Sequence, residues 1–206
     1  MKIAFVGSGN IGGTLARLLA DAGHEVVLAN SRGPASLAGL VAAIGPAATA
    51  ATPADAAEAG EVVVVAIPFL RYRDLPAAEL AGKLVVDATN YYEPRDGTFP
   101  ELAGGAVSPS ELLASALPGA TVVKAFNTIH FRHLVDHAKP AGTPGRRAIP
   151  IAGDDAGAKA TVGGLMDEVG FDAYDAGPLA AGGRFDPGTP LFNVALTSDE
   201  IRAALG

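Results

Sequence analysis

Short apolar runs rich in β-branched residues alternate along this chain with Ala- and Leu-rich stretches whose apolar positions recur at helical spacing. The runs predict strands at Lys2–Val6, Glu25–Ala29, Glu61–Ile67, Lys83–Asp87 and Thr121–Ala125, then at Ala148–Ala152 and Phe171–Tyr174. Val62 to Ala66 is apolar without alternation, which suits a strand covered on both faces, as in a parallel sheet. Helices are predicted at Asn10–Ala22, Pro34–Ile44, Pro53–Ala59, Pro109–Leu117 and Asp155–Val169, with a last short one at Ser198–Leu205. In the first helix Ile11, Leu15, Leu18 and Leu19 fall on one stripe that can pack on a sheet. Ser108-Pro109 with Glu111 marks a helix start, and Asp154-Asp155 marks another. Strand and helix in alternation, with short connections, define an α/β fold built on a doubly wound, mostly parallel sheet.

Residues 1–176 are expected to form that domain, and 177–206 a small C-terminal segment that completes a cleft on it. The stretch Ala141 to Arg147 reads as an exposed loop with Arg146 and Arg147 in solvent. The chain has 206 residues, enough for one α/β domain and an appendage; 49% are apolar and only 18% charged, so a large core can form. A formal charge of −7 disfavours nucleic acid as a partner, because neutralising phosphates needs a basic face. The absence of cysteine excludes disulfides, thiolate metal sites and a cysteine nucleophile, and no other metal-ligating pattern stands out. The longest apolar run, Val62 to Leu70, is broken by Pro68 and falls far short of the roughly 20 residues that span a bilayer. The opening run stops at Gly7, too short for a signal peptide, so the expected location is the cytoplasm, with no membrane partner.

The candidate chemistry begins at the first strand. Gly7, Gly9 and Gly12 follow Lys2–Val6 directly and open the first helix, which is the strand–turn–helix context a dinucleotide fingerprint requires. In a Rossmann fold Gly7 would allow the tight turn, Gly9 close approach of a pyrophosphate, and Gly12 close packing of helix on strand. The amides of Asn10, Ile11 and Gly12 would then meet the phosphates from the positive end of a helix. Selection for NAD places a carboxylate at the end of the second strand, but here that position reads Ala29-Asn30-Ser31-Arg32-Gly33. Arg32 would welcome a 2′-phosphate, with Ser31 and Asn30 as hydrogen-bond donors, which favours NADP(H). Ligands in such sheets lie beyond the carboxyl ends of the strands, so Pro68-Phe69-Leu70 is expected as an apolar wall near the nicotinamide. Asn90 and the segment Phe126, Asn127, Thr128 would supply amide and hydroxyl groups for its ribose and carboxamide.

The segments V-G-S-G-N-I-G (from Val6), A-N-S-R (from Ala29), D-A-T-N (from Asp87) and V-K-A-F-N-T-I (from Val123) occur in this order. Together they resemble the NADPH-dependent reductases of the deazaflavin coenzyme F420; a related reductase domain is found in metalloreductases that pass electrons to iron through flavin. Asp175 to Leu179, with Thr189-Pro190-Leu191 after it, resembles the closing segment of that family. The resemblance implies direct hydride transfer between the nicotinamide C4 and a deazaflavin ring stacked on it. It also implies that Ser8, Gly9, Asn10 and Ile11 hold the pyrophosphate and that Ser31 and Arg32 hold the 2′-phosphate. Ile67, Pro68, Asn90 and Phe126 to Ile129 would then line the nicotinamide and deazaflavin cleft.

No Tyr-x-x-x-Lys pair, Ser/His/Asp set or paired carboxylates stand out, so no catalytic residue is assigned. A flavin-like acceptor fits that absence better than a carbonyl, because the ring is its own electron sink. Three alternatives stay open: reduction of a small imine or keto substrate, ferric or flavin reduction, and a non-catalytic NADPH-sensing module. His130 and His133 could face the pocket or share a face of a short helix capped by Thr128. Lys124 could approach a phosphate or project from its strand, and Tyr91 and Tyr92 could form a lid or pack in a loop. The apolar tail Pro190 to Leu196 needs cover, from which a homodimer is expected.

Overall fold

A computed structural model describes residues 1–206. In chain order the elements are β1 (Lys2–Val6), α1 (Asn10–Asp21), β2 (Glu25–Ala29), α2 (Ala38–Ile44), β3 (Ala48–Ala50), α3 (Pro53–Ala59) and β4 (Val62–Val65). There follow α4 (Ala77–Leu80), β5 (Leu84–Asp87), α5 (Glu93–Asp96), α6 (Pro109–Ser115) and β6 (Thr121–Lys124). The chain ends with α7 (His133–Asp136), β7 (Ala148–Gly153), α8 (Ala156–Glu168), β8 (Asp172–Asp175) and α9 (Ser198–Leu205). The strands form one sheet in the order β3-β2-β1-β4-β5-β6-β7-β8, parallel throughout except where β7 runs against β6. The order reverses between β1 and β4, which leaves a crevice beyond their carboxyl ends.

Side chains alternate across each strand, so the sheet carries two cores. On one face Ile3, Phe5, Val26 and Leu28 meet Leu15 and Leu19 of α1 and Val162 and Met166 of α8. On the other, Ala4, Val6, Val63 and Val65 meet Ala56 and Ala57 of α3 and Leu112 and Leu113 of α6. Caps fix the helix starts as expected: Ser108 and Glu111 form a reciprocal capping box, and Asp155 accepts from the Ala158 amide at 2.7 Å.

Several elements differ from the pattern along the chain, among them the one-turn helices α4 and α5, which no apolar period announces. β3 is a strand of Ala-Thr-Ala with no β-branched run to announce it; its pairing with β2 creates it. Pro34–Ile44 is two pieces, a 3₁₀ turn at Pro34–Leu37 and then α2. Ile67 lies beyond the end of β4. The tail also departs from expectation, since Leu191 is buried and Leu196 packs inward with Phe185 and Ile201, so the chain itself supplies much of its cover.

Arg146 and Arg147, expected in solvent, are only 4% and 5% exposed. Arg146 pairs with Asp167 and Asp172 on α8 and β8. Arg147 has no carboxylate partner: it donates to the carbonyls of Thr128 (3.2 Å) and Val194 (3.1 Å) and reaches Nδ1 of His133 and of His137. The two imidazoles stack with ring centres 4.1 Å apart. To accept from Arg147, each must be neutral at Nδ1. His133 and His137 thus belong to a structural cluster that ties the turn after β6 to the C-terminal segment, His130 is exposed outside it, and Thr128 is buried rather than capping a helix.

Burial, with His133 and Arg147 beside it, holds the His137 imidazole below its ordinary pKa. The unfolded chain therefore binds the proton more readily, and stability falls as pH drops through the ordinary imidazole value of about 6.5. His137→Asn keeps an acceptor near Nδ1 but does not titrate. Thermal unfolding followed between about pH 7 and pH 5 is expected to show a shallower decline for the variant than for the wild type; parallel curves would refute this.

Candidate functional site

The turn between β1 and α1 is shaped by contacts that only glycine can make. Gly7 has φ +111°, and a Cβ there would lie 2.3 Å from the carbonyl oxygen of Ala66. A Cβ on Gly12 would lie 2.0 Å from the carbonyl oxygen of Gly7, so α1 crosses the strand end at a distance no side chain permits. Gly9 differs, since a Cβ there would meet nothing in the protein. The space above Gly9 is therefore open, and it lies over the amino end of α1.

That helix end carries unspent donors. Gly7 N–H bonds the Ala29 carbonyl and Gly13 N–H bonds the Gly9 carbonyl, but none of the amides from Ser8 to Gly12 donates to a protein acceptor. No side chain caps the helix, and no acidic residue occupies its first turn. Consecutive free N–H groups at a helix start, without a carboxylate among them, are the donor set for an anion such as a pyrophosphate.

A cleft of about 550 Å³ opens beside this turn. It brings together Gly7, Ser8 and Gly9, Asn30, Ser31 and Arg32 from the end of β2, and Ile67 and Pro68 from beyond β4. Asn30 organises the middle group: its Oδ1 accepts from the Arg32 amide at 2.9 Å, while its Nδ2 donates to Ser8 Oγ (3.2 Å) and Ser36 Oγ (3.0 Å). Ser31 and Arg32 are thus held at the rim by an Asx turn. Arg32 is exposed, and its guanidinium makes no ion pair. Asn10 and Ile11 begin α1 and contribute backbone amides rather than cleft-lining side chains.

The β4 end is rearranged relative to expectation. Phe69 is fully buried, so it forms no part of the wall. Leu70 lines the same cleft as Ser31 and Arg32, which places the apolar surface beside those residues. Arg71, Asp74, Leu75 and Pro53 also line it, and none of them stood out in the sequence. Their signal was available in Phe69, Tyr72 and Leu75, an apolar repeat of three that marks a 3₁₀ turn.

Asn90, Phe126, Asn127 and Thr128 gather at the ends of the neighbouring strands β5 and β6. Asn90 Nδ2 donates to the Asn127 carbonyl at 2.9 Å, and Asn127 Nδ2 returns to Asn90 Oδ1 at 3.2 Å and to the Phe185 carbonyl at 3.2 Å. Phe126, Asn127 and Thr128 are buried, so they shape the strand ends instead of offering open side chains. Phe126 adopts φ +61°, a strained value for a large side chain, held by this network. Lys124 is fully buried below it, 2.7 Å from Asp186 and 3.0 Å from Ser110 Oγ, which in turn donates to Asp87 at 2.6 Å. Burial pushes the Asp186 carboxyl up, against the pull of Lys124. Lys124 therefore anchors the C-terminal segment, its ammonium engaged by Asp186 and Ser110. Tyr91 packs edge-on against Phe69 and Phe99 in a loop, while Tyr92 meets Phe192 of the tail.

A doubly wound sheet with a glycine turn and free amides at its switch point defines a Rossmann-type nucleotide-binding architecture. Comparison with known proteins agrees. Residues 2–91 match the family model of the coenzyme F420-dependent NADP oxidoreductases. The structure is similar to protein SMa0349 of Sinorhizobium meliloti, with a TM-score of 0.80 and 34% identity over 95% of each chain. It is also similar to a protein of Arthrobacter sp. FB24 described as an F420-dependent NADP reductase, with a TM-score of 0.75 and 34% identity over 89% of this chain and 87% of that one. Metalloreductase STEAP3 of Rattus norvegicus is 36% identical over 182 residues, which are 87% of this chain and 34% of the rat protein. The chain thus spans about a third of that curated relative. The chain belongs to the coenzyme F420-dependent NADP oxidoreductase family.

The contrast between Gly9 and Gly12 gives a test of the turn. Gly12→Ala is expected to cost on the order of 3 kcal/mol or more, because the helix must move off the strand. Gly9→Ala should stay within about 1 kcal/mol of wild type. Urea unfolding of both variants checks this, and equal losses would contradict the close crossing at Gly12.

Proposed function

We propose that the protein binds NADP(H) in the cleft at the β1–α1 turn and exchanges hydride with a deazaflavin or flavin-like acceptor. The observation that carries the reading is the donor set: free amides from Ser8 to Gly12 beside an arginine, Arg32, with no ion-pair partner. Two linked phosphates match the first, and a 2′-phosphate matches the second. No carboxylate stands at the end of β2 to hold an unphosphorylated ribose, which favours NADP(H) over NAD(H).

The nicotinamide, when bound, supplies the hydride, and an acceptor ring supplies its own electron sink. What the chain contributes is placement. Gly7 to Gly12 would hold the pyrophosphate and Arg32 the 2′-phosphate, and Asn90 and Asn127, at the ends of the neighbouring strands β5 and β6, would hold the reactive ring. The hydrogen bonds between those two asparagines, and from Asn127 to the C-terminal segment, keep that surface rigid. Positioning of this kind lowers a barrier without a dedicated acid or base. A deazaflavin acceptor is supported by the family and by the description of the Arthrobacter relative. Iron reduction through flavin is the second reading, favoured by the likeness to the rat metalloreductase.

Two measurements test the proposal. Arg32→Glu is expected to weaken NADP⁺ binding by about a hundredfold or more, from loss of a charge-assisted contact and gain of repulsion, and to change NAD⁺ binding much less. Equal loss for both would show that Arg32 does not read the 2′-phosphate. NADPH oxidation assayed with F420, FMN and ferric chelates identifies the acceptor. Turnover with F420 supports the proposal most directly, and tight NADPH binding without turnover on any of them would refute the enzymatic reading.

A further inference from the structure

Within the nucleotide-binding reading just given, on which this inference rests, we propose that Arg71 is a second arginine selecting for the 2′-phosphate and that Asp74 holds it in check. The turn from Phe69 to Asp74 is a 3₁₀ helix, so side chains three residues apart eclipse and the turn presents three faces. Phe69 and Tyr72 form the inward face, both buried and stacked with ring centres 5.0 Å apart, while Leu75, just past the turn, is buried at the edge of the cleft. Leu70 and Arg73 lie on a second row. Arg73 is already committed, at 2.9 Å from Glu101 and with its guanidinium 4.9 Å from the centre of the Tyr72 ring. Arg71 and Asp74 form the third row, pair with each other, and both line the cleft that holds Ser31 and Arg32.

The cleft thus has an arginine at the end of β2 and another on the turn beyond β4, and only the second has a carboxylate beside it. That pair is more than half exposed at both ends. Exposed ion pairs contribute only about 0–1 kcal/mol, so an incoming phosphate can take Arg71 from Asp74 at small cost. A phosphate monoester also offers three acceptor oxygens and more charge than a carboxylate, in a geometry that a guanidinium meets through two parallel hydrogen bonds. Asp74 has the opposite effect: with Arg71 on the phosphate, its carboxylate is left in the same cleft and repels the ligand. The pair therefore sets the affinity for NADP(H) from both sides, whereas an unphosphorylated ribose gives Arg71 no anion to take.

Calorimetry with NADP⁺, NAD⁺ and 2′,5′-ADP on the wild type, Arg71→Gln and Asp74→Asn tests this. Both substitutions are at exposed positions, and unchanged thermal unfolding would show that the turn is intact. For Arg71→Gln the expected result is about a tenfold weaker affinity for NADP⁺ and 2′,5′-ADP, with NAD⁺ within about twofold. For Asp74→Asn, affinity for both phosphorylated ligands should rise severalfold and NAD⁺ should not change. Equal losses for NADP⁺ and NAD⁺ in Arg71→Gln would overturn the proposal, as would an unchanged NADP⁺ affinity. A wild type that binds NADP⁺ tightly while Arg71→Gln matches it defeats only this inference; a wild type that binds neither nucleotide defeats the nucleotide-binding reading beneath it.

Discussion

The amides of Ser8 through Gly12 need acceptors that the chain does not supply. A run of unpaired N–H groups is tolerable at a solvent-exposed helix start, but it is the reverse of what side-chain caps provide at α3, α6, α8 and α9. Ser108, Asp155 and Thr197 each cap their helices with a side-chain oxygen. At α1 the same position is glycine, with neither cap nor carboxylate. The difference leaves the partial positive charge of α1 exposed where the sheet order reverses, and everything else in the candidate site is arranged around it.

Geometry imposes the second condition. For α1 to start directly above the end of β1, its backbone must pass the Gly7 carbonyl with no room for a Cβ. Whereas the close approach of Gly7 to the Ala66 carbonyl is nonlocal, the crossing of Gly12 over the Gly7 carbonyl joins residues five positions apart, which is why it was legible in the sequence. The same holds for the Asx turn at Asn30, where the side chain bonds the amide two residues ahead. Local chemistry of this kind leaves a local signature.

What was not legible has the opposite character. Arg147 reads as a solvated loop residue because nothing near it in sequence covers it; its cover comes from His133, His137, the Thr128 carbonyl and, from the far end of the chain, the Val194 carbonyl. Lys124 was recognisable as a strand residue, but its partner Asp186 lies in a segment of Gly and Pro that shows no period. β3 has too few residues and too little β-propensity to be seen without β2 beside it. The wall beyond β4 was misplaced for a subtler reason. Pro68-Phe69-Leu70 looks uniformly apolar, yet a repeat of three residues sends Phe69 inward and turns Leu70 and Arg71 toward the cleft.

These nonlocal contacts bear on how the C-terminal segment could influence the strand ends. Among the links that hold it there are Lys124 to Asp186, Asn127 to the Phe185 carbonyl, and Arg147 to Val194 as well as to Thr128. These originate on β6, on the turn after it, or just before β7, and none touches the glycine turn. The nucleotide-phosphate end and the strand ends beyond β5 and β6 are thus stabilised by separate sets of contacts joined through the sheet. Changes in the tail should then act on the geometry around Asn90 and Asn127 while leaving the free amides of α1 as they are. In the proposed enzyme that division separates holding the nucleotide from aligning its reactive ring, because the groups that grip phosphate belong to one strand–helix turn and those that set the ring's surroundings depend on the last residues of the chain.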